Sequence, residues 1–458
     1  MRSAVRSRSG ICCVCVAALL AAATAGAQSI EAAATGERLS LTEAVRLAVA
    51  NNRSLATARL EVEKAEAVLA ASKTRRLPSF ETTLTGSQLV TPVNFSFPAG
   101  AFGTFPGIGP VPNTDTNVTT PQQFSIYASA QVTQPLTQLK RINLGVEANA
   151  ATVALERERV REQQLSLVNS VKRLYFAILQ TQSSVTASDE AIALYRELDR
   201  TLDVRVVQKV ALRSDALNVK AKLAQEEFTR LTRTNTLASQ KEQLNQLLGR
   251  DVRTSFVPED VAGIAAVDVD LDAAQRQAVD QRPDVREARL MVQQADLDRR
   301  LKNAERIPDV GLQFSYMSNF NIDVLPKNLA AAGVQVKWEP FDWGRKSREL
   351  AAKGVVGNQA RLAAREAEDR ALVDVNTRFR KLGEARALLK VTDSARVAAR
   401  EKLRVRTDQF QLQAALLSDV MQVRAELADS NDQYQQALLT FWTAKADFEL
   451  AIGEEVLP

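Results

Sequence analysis

Histidine is absent from this 458-residue chain, and its three cysteines, Cys12, Cys13 and Cys15, all lie near the N-terminus. The rest of the chain therefore lacks the ligands of His/Cys zinc sites and iron–sulfur clusters. It also lacks the His base of Ser-His-Asp and Cys-His catalysis. No glycine-rich phosphate loop follows a strand pattern. These absences predict no cofactor, no metal site and no catalytic residue, so we expect a protein that is not an enzyme.

Long apolar runs are also missing after Ala27, where no window approaches the roughly 18 residues of a membrane-spanning helix. A membrane role would therefore have to depend on strands. The net charge of +5 falls to +2 if Arg2, Arg6 and Arg8 are removed. So small an excess of positive charge predicts no nucleic-acid partner.

The segment 1–27 has the pattern of a secretory signal peptide. Its three arginines precede an apolar stretch, and Ala25-Gly26-Ala27 offers small residues for cleavage. The three cysteines lie inside this segment, and none stands where a lipid-bearing cysteine would follow cleavage. We therefore expect export through a cleaved signal peptide (1–27), no lipid anchor, and a short linker over 28–38.

The longest stretch without Gly or Pro runs from Val146 to Leu248 and is rich in strong helix formers. Its apolar residues recur three or four apart, as in a coiled-coil seam. They are Leu165, Val168, Val171, Tyr175, Ile178, Val185, Ile192, Tyr195, Leu202 and Val206. Near Val207 the charged flanks end, and Ser214-Asp215 has the character of a new N-cap. We predict an antiparallel helical hairpin over 142–248.

The chain contains one unit written twice. Leu41 to Pro78 aligns without gaps on Leu271 to Pro308, an offset of 230 in residue number, with 12 of the 38 positions identical. Further on, the offset is 204, which places Gly249 on Gly453. This predicts repeat 1 at 39–253, a linker at 254–270, repeat 2 at 271–453 with its helical hairpin at 345–452, and a tail at 454–458.

Between its short and long helices, each repeat alternates apolar and polar residues, as a strand with one apolar face does. We predict β-hairpins over 79–134 and 309–339, with four strands long enough to cross a bilayer when tilted. The first hairpin carries an excess at 90–121, rich in Pro, Gly, Asn and Thr, which predicts an irregular exposed loop. In a membrane, four strands would leave open edges, so copies would have to pool their strands. The alternative is a soluble hairpin pair packed on the helices.

Gln134-Pro135-Leu136 and the run from Glu339 to Arg345 stand where a strand pattern gives way to a helix pattern. They resemble the Q-P-L/I-F-D-x-G-x-R strand-to-helix junction of the TolC-like outer-membrane efflux duct family. Leu41 to Ala44 with Asn51-Asn52, and later Arg282 to Val285, resemble its L-x-x-A and R-P-D-L openings. The junction residues that carry the resemblance are Pro135, Pro340, Asp342 and Gly344.

The resemblance implies a mainly α fold with a transmembrane β part. Long antiparallel coiled-coil hairpins would form an α-barrel, and four strands per chain would pool into a twelve-stranded barrel in a homotrimer. It further implies an outer-membrane location with a periplasmic extension and contact with outer-membrane lipid. The function implied is a passive exit duct that receives substrates from a periplasmic adaptor (membrane fusion) protein and an inner-membrane pump.

The family also suggests two kinds of site. Its hairpin tips carry a V-G-L-x-[ST] adaptor-docking motif, which is matched with changes at Val210, Ala211, Leu212, Arg213 and Ser214, and in part at Ala415, Leu416, Leu417 and Ser418. Its periplasmic end closes through polar contacts, for which the candidates are Asp393, Arg396, Arg400, Arg404 and Asp408. An ordinary helix connection and a solvated helix face are the respective alternatives.

A second function remains open from sequence alone. Long helical hairpins also occur in periplasmic coiled-coil scaffolds or adaptors that have no membrane barrel. Adaptors normally add a domain of many short strands with Gly turns, and the sequence shows none. The outer-membrane duct is therefore the first interpretation, while the transported substrate stays undetermined.

Overall fold

The structure, a computed structural model, describes residues 37–88, 90–120, 122–209, 212–261, 270–321, 326–412 and 414–454. The predicted signal peptide lies outside these residues. The helices are α1 (Leu41–Asn51), α2 (Arg53–Thr74), α3 (Leu139–Val207), α4 (Arg213–Leu247), α5 (Leu271–Gln281), α6 (Pro283–Ala304), α7 (Arg345–Gln411) and α8 (Leu417–Ala451). The strands are β1 (Glu37–Leu39), β2 (Ser79–Gln88), β3 (Val93–Phe97), β4 (Thr104–Phe105), β5 (Gly109–Pro110), β6 (Thr116–Thr120), β7 (Phe124–Pro135), β8 (Phe256–Pro258), β9 (Asp309–Phe320) and β10 (Asn328–Lys337).

The long helices α3 and α7 contain 69 and 67 residues, so each is a rod of about 100 Å. After each long helix, the chain runs back along it as a 35-residue antiparallel helix, α4 after α3 and α8 after α7. All ten apolar positions of the predicted seam in α3 are buried or half-buried. Helix α3 also packs on α8, which places the four long helices side by side in the order α4, α3, α8, α7.

The first helical turnaround differs from the sequence expectation. Helix α4 begins at Arg213, and its N-cap is Leu212 in extended conformation, so Ser214 lies inside the helix and is not the cap. The turn depends on Lys209, whose φ of 58° lies in the left-handed region. No side-chain oxygen of Leu212 can cap this helix, so residue type alone placed the boundary too late.

The short helix of each repeat is divided in two. Asn52 and Arg282 both adopt extended backbone and separate α1 from α2 and α5 from α6. The Asn52 side chain accepts a hydrogen bond from the Leu55 amide (3.1 Å) and so caps α2. At the second break, Pro283 stands at the first helical position, where its missing N–H costs nothing.

Strands β2, β7, β9 and β10 form one antiparallel sheet in the spatial order β10-β9-β7-β2. The sheet lies at one end of the helical rods, because α3 follows β7 directly and α2 ends just before β2. Ser79 pairs with Thr133, Val132 with Phe314, and Lys337 with Asp309. Within the described chain, β2 and β10 each have a strand neighbour on one side only, so the sheet has two open edges.

Over the described residues 90–120, the segment 90–121 is largely exposed, as expected, but it forms short strands and is not irregular as predicted. Strands β3 and β6 pair over five residues each, and β4 pairs with β5. Phe97 packs on Phe102 with ring centroids 5.1 Å apart, and Phe95 stacks on Phe97. Val, Phe and Thr residues make up most of β3, β4 and β6, as their β propensity favours, whereas β5 consists of Gly109 and Pro110.

Within the predicted linkers 28–38 and 254–270, residues 37–38 and 256–258 belong to strands. Strand β1 pairs in parallel with β8, so two segments that are distant in the sequence lie side by side. Tyr175 of α3 holds the pair. Its buried hydroxyl lies 2.7 Å from the Leu39 carbonyl oxygen and 2.8 Å from that of Glu259, and it accepts a hydrogen bond from the Glu259 amide. Three-residue strands give too short a pattern to recognise.

Burial raises the pKa of Tyr175 to about 12 from its ordinary value of 10. The folded chain therefore keeps a proton that the unfolded chain loses above pH 10, so stability should fall as the pH rises from 10 to 12. We expect Tyr175→Phe to lower the apparent Tm at neutral pH and to weaken this alkaline decline. Thermal scans at pH 9 and pH 11 check both effects. Equal alkaline declines in the two proteins would contradict the assignment.

Candidate functional site

The four-stranded sheet has one apolar and one polar face, and the register shows which residues share each. The mainly apolar face carries Phe80, Leu84, Ile126, Ala128, Ala130, Val132, Leu312, Phe314, Tyr316, Ala332, Val334 and Val336. Its polar members, Thr82, Gln88, Gln134, Ser318 and Asn328, are uncharged. The large side chains of this face are exposed or half-buried, with Phe80 and Leu84 both at 71% exposure. The polar face carries Ser, Thr or Gln from every strand. Apolar side chains left open to this extent indicate a surface covered by lipid or by protein.

Charge is confined to one side of this sheet. The four strands contain three charged residues, Glu81, Asp309 and Lys337, and all three lie on the polar face near the helical end. Asp309 accepts a hydrogen bond from Arg141 of α3 at 3.1 Å. The apolar face therefore contains no charge in the described strands, as a surface in contact with hydrocarbon requires.

The helical turnarounds at the opposite end of the rods are the candidate docking sites. Val210 and Ala211 lie outside the described residues, and the side chains of Leu417 and Ser418 are not described. Leu212 and Leu416 are 69% and 70% exposed, and Arg213 and Ser214 are exposed as well. Ala415 is half-buried. Each turnaround therefore presents a large apolar side chain, and the packing of α3 on α8 brings the two turnarounds to the same end.

A groove of about 940 Å³ separates the two turnarounds. Its floor is apolar, with Tyr195, Leu202 and Val219 from the first hairpin and Met421 from the second. Its rim is charged, with Arg205, Asp215, Lys222, Glu426 and Asp429. Because the first and second hairpins contribute opposite walls, the groove exists only in the folded chain.

Among the gate candidates, Arg396 is the most engaged. Its guanidinium donates to Asp393 at 2.6 Å and lies over the Tyr434 ring of α8, with 4.0 Å between the guanidinium carbon and the ring centroid. Its buried Nε atom has no hydrogen-bond partner in the described part of the chain. Arg396 therefore fixes α7 to α8, which a solvated arginine would not do.

The other gate candidates lie on the exposed side of α7. Arg404 donates to Glu401 at 2.6 Å and to Asp408 at 3.1 Å, so its charge is balanced within its own helix. Arg400 makes no ion pair with any described residue. The five candidates therefore divide into an interhelical contact at Asp393 and Arg396 and an open surface from Arg400 to Asp408.

The junction motif of the second repeat begins helix α7. Asp342 accepts hydrogen bonds from the backbone amides of Lys346 (2.9 Å) and Gly344 (3.0 Å), which lower the pKa of its carboxyl group. Gly344 adopts a φ of 80°, a conformation that glycine tolerates best. At the first junction, Pro135, which has no backbone N–H to donate, ends β7 opposite Gly311. Pro340 lies between β10 and α7. The motif is therefore a strand terminator followed by a helix cap.

Sequence reasoning missed the polar contacts between the repeats. Asp447 of α8 accepts a hydrogen bond from Asn169 of α3 (3.1 Å), and Lys172 of α3 pairs with Glu449 of α8 at 2.6 Å. Within its own repeat, Asp447 also accepts a hydrogen bond from Arg378 of α7 (2.7 Å). Because α3 and α8 belong to different repeats, such partners leave no local signal in the sequence. The pairing of Glu401 with Arg404 could have been found from its helical spacing.

The remaining chemistry is sparse. In the described residues, no cluster of acidic side chains is arranged to hold a metal ion. None of the helices in the described ranges is apolar over a length that would cross a lipid bilayer. The features to be explained are therefore surfaces: a sheet with an exposed apolar face, and a grooved helical end about 100 Å away.

Comparison with known proteins gives a family-model match over part of the chain and a shared fold over most of it. The model of the family described as outer membrane efflux protein matches residues 44–250. Comparison with curated proteins gives no match.

Several solved structures share the fold over almost the whole chain. The outer-membrane channel of Campylobacter jejuni, CmeC, superimposes with a TM-score of 0.75 at 13% identity over 90% of this chain and 85% of that one. The outer-membrane channel OprN gives 0.74 at 16% identity, with 91% of each chain covered. The open state of the Neisseria gonorrhoeae channel MtrE gives 0.71 at 16% identity, with 90% and 88% covered.

Proposed function

We propose that this chain, whose residues 44–250 match the model of the outer membrane efflux protein family, is the outer-membrane exit duct of a tripartite efflux or secretion system. In this role it conducts substrates passively from the periplasm to the exterior and makes or breaks no covalent bond. The observation that carries the proposal is the sheet. One exposed face is apolar and free of charge, and the opposite face is polar. A strand layer of this kind separates lipid from a watery lumen.

The open edges support an assembly of several copies. Each unpaired backbone group in hydrocarbon costs several kcal/mol, so β2 and β10 both need a neighbour. We propose a homotrimer in which three sheets close into a twelve-stranded barrel and the long helices continue it as a periplasmic tunnel. Exposed apolar residues on the outermost helices, such as Phe228 of α4 and Val391 of α7, support the same assembly, because they would be covered by the adjacent copy.

The grooved helical end is the proposed docking site for a periplasmic adaptor protein, which in turn contacts an inner-membrane pump. Two exposed leucines, Leu212 and Leu416, flank a groove with an apolar floor and a charged rim. An apolar centre inside a polar rim is the usual anatomy of a specific protein interface. This end is the farthest from the sheet, as a partner on the opposite side of the periplasm requires.

Fractionation combined with complementation tests the function. The full chain is expected in the outer-membrane fraction as a heat-modifiable, detergent-extracted oligomer, and it should restore export in a strain from which its gene has been deleted. The double variant Leu212→Asp with Leu416→Asp should keep the oligomer but lose export. A soluble monomer released by osmotic shock would overturn the duct and favour a periplasmic scaffold.

The gate assignment gives a separate expectation. Arg400 has no ion-pair partner in the described chain, so its guanidinium can bind a carboxylate of another copy at the closed end. With Asp393 and Asp408, we propose that it helps hold this end shut. Arg400→Ala should raise the closed-state conductance in planar bilayers. Arg365→Ala, which removes another arginine of α7 about 50 Å away, is the matched control. An unchanged closed-state current in Arg400→Ala would refute the assignment.

A further inference from the structure

We infer that the contact between two copies reproduces, residue by residue, the contact between the two halves of one chain. The inference rests on the proposed oligomeric duct and names the pairs of residues that meet across its seam. It follows from the two numbering offsets, 230 before the long segment at 90–121 and 204 after it, which relate the repeats.

The strand register supports these offsets. Ser79 of β2 pairs with Thr133 of β7. Adding 230 to the first number and 204 to the second gives Asp309 and Lys337, and these two residues pair in the second hairpin. The same holds for every pair between β2 and β7, since each has its shifted counterpart between β9 and β10. The two hairpins therefore share one register.

The helical parts obey the same offsets. The Asn52 side-chain amide donates to the Leu247 carbonyl at 2.9 Å, and the guanidinium of its counterpart Arg282 donates to the Ala451 carbonyl at 3.1 Å. The two hydrophobic cores also correspond. Buried residues of the first have buried counterparts in the second, namely Ala44 and Ala274, Ala48 and Ala278, Val171 and Val375, Ile178 and Leu382, and Leu248 and Ile452.

The offsets can then be applied to the junction between the two halves. There β7 pairs with β9, for example Gln131 with Ser315. Strand β7 corresponds to β10 and β9 corresponds to β2, which are the two open edges. The shifted pair is Gln335 of β10 and Thr85 of β2. These two residues cannot meet within one chain, because they lie at opposite edges of the sheet. Gln335 of one copy therefore lies opposite Thr85 of the next.

The apolar side chains fit this register. Applied to the pair Val132 and Phe314, the offsets place Val336 of one copy opposite Leu84 of the next. Both Val336 and Leu84 are exposed in the single chain. Among the helices, Ser184 of α3 donates to Asp432 of α8. The counterparts of this polar pair under the offset of 204 are Leu388 of α7 in one copy and Phe228 of α4 in the next. Their side chains are 45% and 65% exposed in the single chain. The seam between copies would thus cover apolar side chains that the chain leaves open.

The charges also fit. Glu81 makes no ion pair with any described residue, and the shifted register places it opposite Glu339 of the next copy. Glu339 already contacts Arg345 at 2.7 Å and Lys346 at 3.3 Å. Arg345 and Lys346 would therefore lie near Glu81 as well as Glu339, and Arg345 also pairs with Glu349 at 3.3 Å.

Disulfide formation tests the register. In a chain whose three N-terminal cysteines are replaced by serine, the double variant Thr85→Cys with Gln335→Cys should form covalent dimers and trimers in isolated outer membranes under mild oxidation. Residues directly opposite each other on antiparallel strands bring Cα atoms to about 4.5–5.5 Å, which a disulfide can bridge. Controls are Gln335→Cys combined with Thr83→Cys or with Ser87→Cys. A two-residue slip puts the Cα atoms about 8 Å apart, beyond disulfide reach.

The outcomes separate this inference from the proposed function. Cross-linking of the Thr85 variant alone supports the seam. Cross-linking of a slipped pair instead, or of no pair in an oligomer that stays heat-modifiable, overturns the register but leaves the duct standing. A monomeric, soluble chain without cross-links overturns the duct as well. Phe228→Cys with Leu388→Cys, bridged by a short bis-maleimide, tests the helical part of the seam, and failure there in a cross-linked barrel overturns that part.

Discussion

Replacing Phe314 by Arg is expected to abolish assembly of the chain in the outer membrane. Phe314 lies near the middle of β9 on the apolar face, between Val132 and Ala332 of the adjacent strands. An Arg facing lipid near the bilayer midplane costs roughly 2–4 kcal/mol, and an assembly of several copies bears this cost in each. We expect loss of the heat-modifiable oligomer from outer-membrane fractions, measured by gel shift and immunoblot.

The matched control is Gln313→Arg, one residue earlier on the same strand. Successive side chains of a strand point to opposite faces, so this Arg joins the polar face, where water can solvate it. We expect normal amounts of oligomer. If Gln313→Arg prevented assembly and Phe314→Arg did not, the two faces would have been assigned the wrong way round. If both assembled normally, the sheet would not face lipid at all.

Gly249→Ala is expected to destabilise the helical part of the chain more than the same change at Gly453 or Gly383. Gly249 follows α4 with a φ of 69°, and an added Cβ would overlap the carbonyl oxygen of Asn51. A left-handed conformation costs a non-glycine residue about 1–2 kcal/mol, and the clash with backbone adds to this. Because Asn51 lies at the break between α1 and α2, we expect the packing of these helices on α3 and α4 to loosen.

The same substitution at the other two glycines is expected to have smaller or opposite effects on stability. Gly453 has a φ of 68°, but an added Cβ would meet its nearest atoms, in Gln281 and Arg282, only at 3.2 Å, so Gly453→Ala should cost less. Gly383 lies inside α7 with no atom near an added Cβ, and Gly383→Ala should stabilise by about 0.5–1 kcal/mol. Apparent Tm values from circular dichroism of the solubilised protein rank the three. A Gly249→Ala protein as stable as the parent would refute the close approach to Asn51.

The long-range periodicities of the sequence were sufficient for its larger elements. The seam of α3 from Leu165 to Val206 was predictable because a helix with one buried stripe repeats its apolar residues every three or four positions. Strand β7 was predictable because its faces alternate strictly. The absence of His, and of Cys after Cys15, could be read directly from the residue counts, and it removed the ligands of His/Cys metal sites from the possible interpretations.

Short or nonlocal features were not predictable. The parallel pairing of β1 with β8 depends on the hydroxyl of Tyr175, which reaches both segments from a third element. The segment 90–121 pairs its own strands although its composition resembles a loop. At the first turnaround, Leu212 caps α4 without a side-chain bond, and Lys209 supplies the left-handed turn that glycine usually provides.

The candidate site was likewise only partly predictable from the sequence. The turnarounds and the arginine series of α7 were visible as motifs and spacings, but their surroundings were not. Arg396 and Arg404 are equivalent in the sequence pattern. In the structure one lies over the Tyr434 ring and the other balances two acids on its own helix. The groove between the turnarounds likewise needs walls from both hairpins, which belong to different repeats of the sequence.

The sequence by itself determined the repeated order of helices and strands, the two offsets and the alternation of the strands, because each of these is written in residue spacing. The tertiary structure alone decided which strands are neighbours, which edges stay open and which face of the sheet is free of charge. Strand pairing depends on backbone hydrogen bonds between distant segments, and these bonds carry no residue code. Once the pairing of β7 with β9 is fixed, the offsets extend it to the open edges of β10 and β2.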